Sequence, residues 1–322
     1  MIKSKEFGYE TDANVLVGHI RRQFVIGLLL TVVVYSAVLW TSGGGGNDRL
    51  IAWLENTVQH TASGVGSLFF RIMIAFLAAG SLFVVAYYMR WLRGPMQPRK
   101  LTLRQLLWEG GFVLNWIWSA SVLGSLVLLA AGQGWIKFYF NISDYGWVYF
   151  CTAIVGLIIA YDTYFYFVHR LMHKDLLWKY VHSTHHLTIC PNPVTQFQLS
   201  PIEQLVTTGF YIMFGALVPT HPLTWVVFSF IGISRSVFGH LNYEIFPKIF
   251  VTNKWLSYIA TGTHHNQHHA YSRCNYAFFF TFWDRVCGTL HRNYESDFLD
   301  LAEFSPARRR GTELVPIPSS SD

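Results

Sequence analysis

Residues 147–168 read WVYFCTAIVGLIIAYDTYFYFV, and residues 169–173, which follow directly, read HRLMH. The apolar run is 22 residues long and contains one acidic residue, Asp162. A helix of that length rises about 33 Å, enough to cross a hydrocarbon core of about 30 Å. The stretch therefore predicts a membrane-spanning helix that ends at two histidines, His169 and His173.

Other apolar runs precede and follow this segment. Three of them are long enough to cross a membrane: Phe24–Trp40, Val65–Met89 and Phe112–Ala131. A shorter pair, Leu205–Leu217 and Leu223–Phe238, is separated by residues 218–222, which read VPTHP. This pair predicts a tight helical hairpin that either spans the bilayer or dips into it. The prediction is an all-α, multi-pass membrane protein with four spans, a short hairpin and a histidine-rich helical cap.

The composition of the chain agrees with a membrane protein. Hydrophobic residues make up 52% of the chain and charged residues 13%, which excludes a disordered chain and argues against an ordinary soluble globule. The net charge is +6, but the basic residues lie between apolar runs, so we expect membrane lipids as partners and no nucleic acid. The four cysteines have no paired spacing, so they indicate neither disulfides nor a thiolate zinc site.

The loop charges predict the orientation of the chain. Residues 90–104 carry five basic residues and no acid, whereas the loop at Gly43–Gly46 is nearly free of charge. By the positive-inside rule, both termini and the 90–111 loop are expected in the cytoplasm. Four spans then return the chain to the cytoplasm at His169, and the hairpin returns it again at His240.

We expect three parts: a membrane region at 1–146, a catalytic domain at 147–295 and a polar tail at 296–322.

Histidines are concentrated in one part of the chain, since 11 of the 14 lie between His169 and His269. They form three groups with spacings of three or four residues: His169 and His173; His182, His185 and His186; and His265, His268 and His269, with His264 just before the last group. On a helix these spacings bring side chains to one face, so each group can direct imidazoles at a common point. Eight such ligands suffice for two metal ions, and His240 is a candidate ninth. The spacing alone fits iron, zinc, copper or nickel.

Two acidic residues lie near these groups. Asp162 is seven residues before His169 on the same helical face. It is expected either to accept a hydrogen bond from a ligand imidazole or to bond a neighbouring helix. Glu203 begins the hairpin, and it could bridge metals, bond a ligand, or favour the start of a helix.

The three groups, HxxxH, HxxHH and HxxHH in this order, resemble the histidine boxes of the fatty acid hydroxylase/sterol desaturase superfamily. Further matching residues are Pro201-Ile-Glu203, His240-Leu-Asn242, Asn275-Tyr276, Trp283-Asp284-Arg285 and Gly288-Thr289. The context of the third box is most similar to sterol C4-methyl oxidase-like members. The resemblance implies a non-haem di-iron centre held by His169, His173, His182, His185, His186, His240, His264, His265, His268 and His269. It also implies supporting roles for Asp162, Glu203, Asn242 and Asn275.

The function implied by the resemblance is oxygen-dependent oxidation of a sterol or fatty-acyl lipid. Hydroxylation, methyl oxidation and desaturation all remain open, and no side chain beyond the metal ligands is expected to be catalytic. The electrons must come from outside, so a ferredoxin, cytochrome b5 or reductase is the expected partner. The expected location is a bacterial inner membrane or the endoplasmic reticulum, with the site facing the cytoplasm. The alternative is a histidine-rich membrane metal transporter or metal-binding protein; a transporter would hold its ligands near the middle of the membrane.

Overall fold

The computed structural model describes residues 25, 29, 96–97 and 103–303. Their longer helices are α1 (Leu103–Gly132), α2 (Gly146–Met172), α3 (Pro201–Leu217), α4 (Pro222–Gly239), α5 (Gly262–Tyr271) and α6 (Tyr294–Glu303). Short α-helical turns lie at Asp175–Leu177, Ile249–Thr252 and Phe282–Val286. Shorter 3-10 turns lie at Ile142–Asp144, His185–Leu187, Thr195–Phe197 and Leu256–Tyr258. The described residues contain two isolated β-bridges and no strand, so the all-α prediction is confirmed for them.

Within the described part of the chain, two helices are long and apolar enough to cross a membrane. They are α2, with 27 residues, and α4, with 18 residues. The predicted span at 147–168 lies within α2, and the one at 112–131 lies within α1. The predicted runs at 24–40 and 65–89 lie outside the described residues, except for the helical Val25 and Leu29. The number of crossings therefore stays a prediction.

The short hairpin forms as predicted, from α3 and α4. Proline occupies the first turn of both helices, where its missing N–H costs nothing. The Ser200 hydroxyl accepts a hydrogen bond from the Glu203 amide at 3.0 Å, which caps α3 and fixes where Glu203 enters the helix. His221 caps α4 in the same way, because its Nδ1 accepts from the Leu223 amide at 3.1 Å.

The core between α2, α3 and α4 is mainly aromatic. Leu157, Phe210, Phe228 and Phe279 belong to one cluster and are at most 6% exposed. Phe279 comes from the segment 276–280, which follows α5 and returns the chain to α2. The core therefore attaches this segment to α2.

The region after α5 extends further than the sequence predicted. Helix α6 runs across the expected boundary at residues 295 and 296, and Phe298 is fully buried against Val251 and Tyr294. The packed unit therefore continues at least to Phe298. Phe298, in the second turn of α6, supplies this contact, and it would be lost if the chain were cut at 295.

Candidate metal centre

Nine of the ten predicted histidine ligands converge in two groups. The five-histidine group consists of His169, His173, His182, His186 and His268. The four-histidine group consists of His185, His240, His265 and His269. Within each group the ligand nitrogens all lie within 4.8 Å of one another. Both groups have the size of a single metal site.

The five-histidine group is assembled from α2, α5 and the turns between α2 and α3. His169 Nε2 lies 2.9 Å from His182 Nε2 and 3.3 Å from His173 Nε2. His186 Nε2 lies 3.1 Å from His182 Nε2 and 3.0 Å from His268 Nε2. His173 is half-buried and the others are buried, so five imidazoles enclose one small volume at the end of α2.

The four-histidine group uses α5 and the end of α4. His265 Nε2 lies 3.2 Å from His240 Nε2 and 3.1 Å from His269 Nε2. His185 Nε2 completes the group at 3.4 Å from His240 Nε2. His240 follows α4 directly and His169 is in the last turn of α2. Both groups therefore lie at helix ends rather than halfway along the apolar helices.

Neighbouring histidines in the sequence serve different groups. On α5, His265 and His269 share one group, whereas His268 points to the other. Residues 100° apart around a helix diverge, which separates His268 from His269. The rings of His186 and His269 are centred 4.8 Å apart, so the two groups are in direct contact.

The second histidine box does not lie on a regular α-helix, and the expectation that its spacing reflects one is wrong. Residues Trp178–His182 form a π-helical turn, and His185–Leu187 form a 3-10 turn. His182 and His186 point to the five-histidine group, while His185 points to the four-histidine group. Short, irregular turns are common at functional sites, where side chains must be aimed individually.

In most of the candidate ligand rings, Nδ1 points away from the other histidines and donates a hydrogen bond to an acceptor. Backbone carbonyl oxygens accept from Nδ1 in four cases: His169 to Tyr276 at 2.7 Å, His240 to Ser236 at 2.8 Å, His268 to Cys274 at 2.7 Å and His269 to Thr188 at 2.9 Å. A carbonyl can only accept, so Nδ1 carries the proton and Nε2 of the neutral ring carries a lone pair.

The Nε2 atoms, which face the other histidines of their group, therefore meet with their lone pairs directed at one another. His169 Nε2 and His182 Nε2, 2.9 Å apart, cannot form a hydrogen bond when both outer nitrogens hold the protons. Such an arrangement is unfavourable without a cation between the rings. Imidazole Nε2 is a ligand for iron, zinc, copper and nickel, so the residues of both groups fit a metal ion.

The electrostatic environment keeps these rings neutral. Burial lowers the pKa of His182, His185, His186 and His268 well below the usual range, and the neighbouring imidazoles lower it further. Burial also lowers the pKa of His240 to about 4. A neutral imidazole is the form that binds metal, so the site is prepared for metal at neutral pH.

His264 lies in neither group, although the sequence analysis included it. Its Nε2 lies 3.0 Å from Asp284 Oδ2, and both side chains are fully buried. It precedes His265 by one residue and so points to a different side of α5. A motif that places four histidines within six residues cannot show by spacing alone which of them turns away.

Asp162 contacts backbone amides and not an imidazole. Its Oδ1 accepts hydrogen bonds from the consecutive amides of Phe278, Phe279 and Phe280. Of the two roles that the sequence left open, the structure favours a structural bond to a neighbouring part of the chain. The carboxylate fixes the segment that follows the third histidine box against α2.

Glu203 contacts a histidine directly. Its Oε1 lies 2.8 Å from His182 Nδ1, and both residues are buried. The carboxylate holds the outer N–H of the ring, which orients it and makes its Nε2 more basic. This contact is one of the roles the sequence left open, and the Ser200 cap at the start of α3 makes it possible.

The two asparagines support turns and do not touch a histidine ring. Asn242 and Asn275 both adopt φ of 57°, which asparagine tolerates better than most residues. Asn242 Nδ2 donates to the Gln97 carbonyl at 2.9 Å. Asn275 Nδ2 donates to the His264 carbonyl at 2.9 Å and so supports the backbone of the third box.

Asp284 is a supporting residue to which the sequence analysis gave no role. It accepts from the amides of Tyr276 and Ala277 at 2.8 and 2.9 Å and from the Thr289 hydroxyl at 2.7 Å. Tyr276 in turn accepts from His169 Nδ1. The Trp-Asp-Arg match was the only signal in the sequence, because the partner amides come together only in the folded chain.

In the described part of the chain, two adjacent groups of histidines could thus each hold a metal ion. Comparison with protein families gives a match to the fatty acid hydroxylase family over residues 154–289, which contain all nine converging histidines. This match and the similar proteins described next support the fatty acid hydroxylase/sterol desaturase superfamily for this segment of the chain.

Several curated proteins are similar in sequence. Lathosterol oxidase of Rattus norvegicus is 27% identical over 179 residues, which are 55% of this chain and 57% of that protein. A Delta(7)-sterol 5(6)-desaturase of Gibberella zeae is 30% identical over 161 residues, 50% of this chain and 48% of that protein. Methylsterol monooxygenase 1 of Rattus norvegicus is 32% identical over 168 residues, 50% of this chain and 56% of that protein. The matches to these proteins thus span about half of their length. No solved structure matches the chain.

Proposed function

We propose that this protein is an integral membrane oxidoreductase that uses a non-haem di-iron centre and O2 to oxidise a C–H bond of a lipid, with a sterol as the leading substrate class. The family match and the names of the similar proteins support an oxidation of sterols. Whether the product is an alcohol, an oxidised methyl group or a double bond differs among those relatives, and all three outcomes belong to the proposal.

The observation that carries the proposal is the convergence of nine imidazoles in two adjacent groups. We assign one iron to the five-histidine group and one to the four-histidine group. His264 is not among the proposed ligands, because its Nε2 is bonded to Asp284. Two metal ions held in these adjacent groups would fit a redox reaction better than a structural role, since one closed site would suffice to stabilise a fold.

The overall reaction needs two electrons from outside the chain. Hydroxylation converts R–H, O2, two electrons and two protons into R–OH and water. Desaturation uses the same oxidant, electrons and protons, removes two hydrogens from neighbouring carbons, and yields an alkene and two waters. A ferredoxin, cytochrome b5 or reductase is the proposed donor. When bound, the iron pair supplies the reductive activation of oxygen.

The contribution of the chain is to orient the ligands and to exclude water. Backbone carbonyls and the Glu203 carboxylate fix the imidazole rings through Nδ1. Phe165 lies against His169, with ring centres 4.9 Å apart, and Phe278 lies 5.1 Å from Phe165. These aromatic rings give the end of α2 an apolar surface on which a lipid can pack.

The membrane arrangement is part of the proposal. We propose four spans with the hairpin, a cytoplasmic metal centre, and location in a bacterial inner membrane or the endoplasmic reticulum. The proposed division keeps the membrane region at 1–146 and a catalytic domain that begins at 147, but this domain extends past the expected end at 295 to include Phe298, and the tail follows it. Cysteine labelling at Ser42 and Lys100 is expected to reach opposite faces of the membrane. Labelling of both from one side would contradict the topology.

Metal analysis and lipid conversion test the function together. The purified full-length chain is expected to contain two irons and, with a reductase system, to convert a Delta(7)-sterol or a methylsterol only when O2 is present. A double variant, His185→Ala with His268→Ala, removes one imidazole from each group and should hold fewer than two metals and lose conversion. A double variant that still holds two metals would refute the ligand assignment, and metal uptake into vesicles without sterol conversion would favour the transporter.

A further inference from the structure

Arg235 is a buried arginine on the membrane-embedded side of the metal centre. It lies on α4, five residues before His240, and is 8% exposed. At 1.5 Å per residue it is about 7.5 Å deeper along the helix than that histidine. A charged residue inside an apolar helix is costly to bury, and such residues usually serve a function.

The guanidinium group lies close to the four-histidine group. A Cβ atom at Gly239 would lie 2.9 Å from Arg235 Nη1 and 3.1 Å from His265 Cδ2, so both side chains occupy the space beside this glycine. On its other side the guanidinium carbon lies 5.8 Å from the centre of the Phe278 ring. Arg235 thus lies between a metal-binding histidine and the aromatic surface at the end of α2.

The hydrogen-bonding capacity of Arg235 is mostly unused. A guanidinium has five N–H donors, but its one hydrogen bond within the described residues is from Nη2 to the Thr261 carbonyl at 3.5 Å. Nε is buried and has no partner. Leaving such donors unpaired in a buried position is unfavourable, so a missing acceptor is indicated.

The acids near Arg235 are committed to other donors. Asp162 accepts from the amides that follow residue 277. Glu244 accepts from the amide and hydroxyl of Thr263 at 2.8 and 2.6 Å and from the Phe246 amide at 3.0 Å. Both interact with the guanidinium through space without forming an ion pair among the described residues. Two carboxylates balance one cation, so the position favours an uncharged acceptor over a further anion.

We propose that Arg235 binds an uncharged oxygen of the substrate, a hydroxyl or carbonyl group, and so determines which carbon of the lipid faces the metal centre. This inference rests on the proposed function and deepens it. A sterol carries its hydroxyl at C3, two bonds from C5, and the name of one relative specifies reaction at the 5(6) position. An oxygen held by Arg235 would bring ring carbons near C3 towards His240 and His265.

Binding of two matched sterols tests the inference. The probes are lathosterol and its 3-deoxy analogue 5α-cholest-7-ene, measured by competition on the metal-loaded, full-length protein without reductant. The wild type is expected to bind lathosterol about 10- to 100-fold more tightly, as loss of a charged hydrogen bond implies. Equal binding of the two probes, or no binding of lathosterol, would overturn the inference whatever the variants do.

Two substitutions locate the effect on the side chain. Arg235→Met should remove the preference by weakening lathosterol only, with the deoxy analogue and the metal content unchanged. Arg235→Lys keeps the charge without the forked donors and should bind lathosterol about tenfold more weakly. Arg292→Met removes an exposed arginine and serves as the control. A full preference in Arg235→Met would refute the role of Arg235. The proposed function fails on a different readout, when the wild type lacks two metals or oxygen-dependent conversion.

Discussion

The two histidine groups differ in the acceptors that bind the Nδ1 atoms of their rings. In the five-histidine group a carboxylate, Glu203, holds His182, and backbone carbonyls hold two further rings. In the four-histidine group the outer contacts of His240 and His269 are both backbone carbonyls. A carboxylate makes an imidazole a stronger donor than a carbonyl does. We therefore predict that the five-histidine group binds a metal more tightly than the four-histidine group.

The largest expected effect comes from removing one ligand of each group separately. His268→Ala leaves four imidazoles in the five-histidine group, whereas His269→Ala leaves three in the other. Both variants should lose turnover by more than about 100-fold, beyond the effect of losing an outer partner. His269→Ala should contain about one metal per chain, and His268→Ala should retain both metals but release one more readily to a chelator.

These neighbouring residues share one helix, so each variant is the control for the other. Iron analysis after stepwise dialysis against a chelator measures the difference. Equal metal contents and equal release from the two variants would contradict the inequality of the sites.

A smaller effect is expected from substituting Glu203, whose carboxylate accepts a hydrogen bond from His182 Nδ1. Glu203→Gln keeps an oxygen acceptor for the ring but loses the charge, so metal affinity at the five-histidine group should fall by about 10- to 100-fold. Glu244→Gln is the matched control, because it is a buried carboxylate that bonds Thr263 and no histidine. It is expected to lower stability without changing metal affinity. A Glu203→Gln variant with wild-type affinity would remove the proposed cause of the inequality.

The sequence predicted the members of the centre better than their arrangement. The boxes could be found because histidines spaced by three and four residues are rare, and His240 because the predicted hairpin was expected to return it to the same membrane face. The division of His268 and His269 between two sites could not be predicted from spacing, since it depends on where other chain segments supply partners. The π-helical turn at Trp178–His182 was missed for the same reason.

The supporting acids show another limit of the sequence. The spacing between Asp162 and His169 favoured a direct contact, but Asp162 bonds amides more than 110 residues away. Asp284 bonds the two amides that come just before those. Together the two carboxylates hold five consecutive amides, 276–280. Such contacts arise from tertiary structure, and helical periodicity carries no information about them.

This pair of acids yields a third prediction, about stability. Asp162→Asn removes the charge that three amides share, and the free energy of unfolding should fall by about 1–3 kcal/mol, with both metals retained. Asp284→Asn should lower stability by a similar amount and also weaken the five-histidine group, because the Tyr276 carbonyl that it positions holds His169. Chemical denaturation and metal analysis of both variants measure the two effects. If Asp162→Asn lost metal and Asp284→Asn did not, a direct contact between Asp162 and a ligand imidazole, as its spacing suggested, would again be favoured.

The smallest expected effect concerns the four-histidine group and the glycine beside it. A Cβ at Gly239 would lie 3.1 Å from Cδ2 and 3.3 Å from Cγ of His265, so the ring must shift by a few tenths of an ångström. Arg235 Nη1, at 2.9 Å, is the end of a flexible side chain and can move more easily. Gly239→Ala should therefore weaken metal binding at the four-histidine group by less than about tenfold, a smaller effect than that of losing an outer partner, and leave the other group unchanged.

Gly232→Ala on the same helix is the matched control, because a Cβ there has nothing within 4 Å. Helix propensity alone predicts that this control stabilises the protein by up to about 1 kcal/mol without affecting metal. The same propensity gain acts at Gly239, so any loss of metal there must come from the displaced ring. Chelator titration of both variants separates the two sites. If Gly239→Ala weakened the five-histidine group as much as the four-histidine group, the two sites would have to be mechanically coupled, and treating them as separate would be wrong.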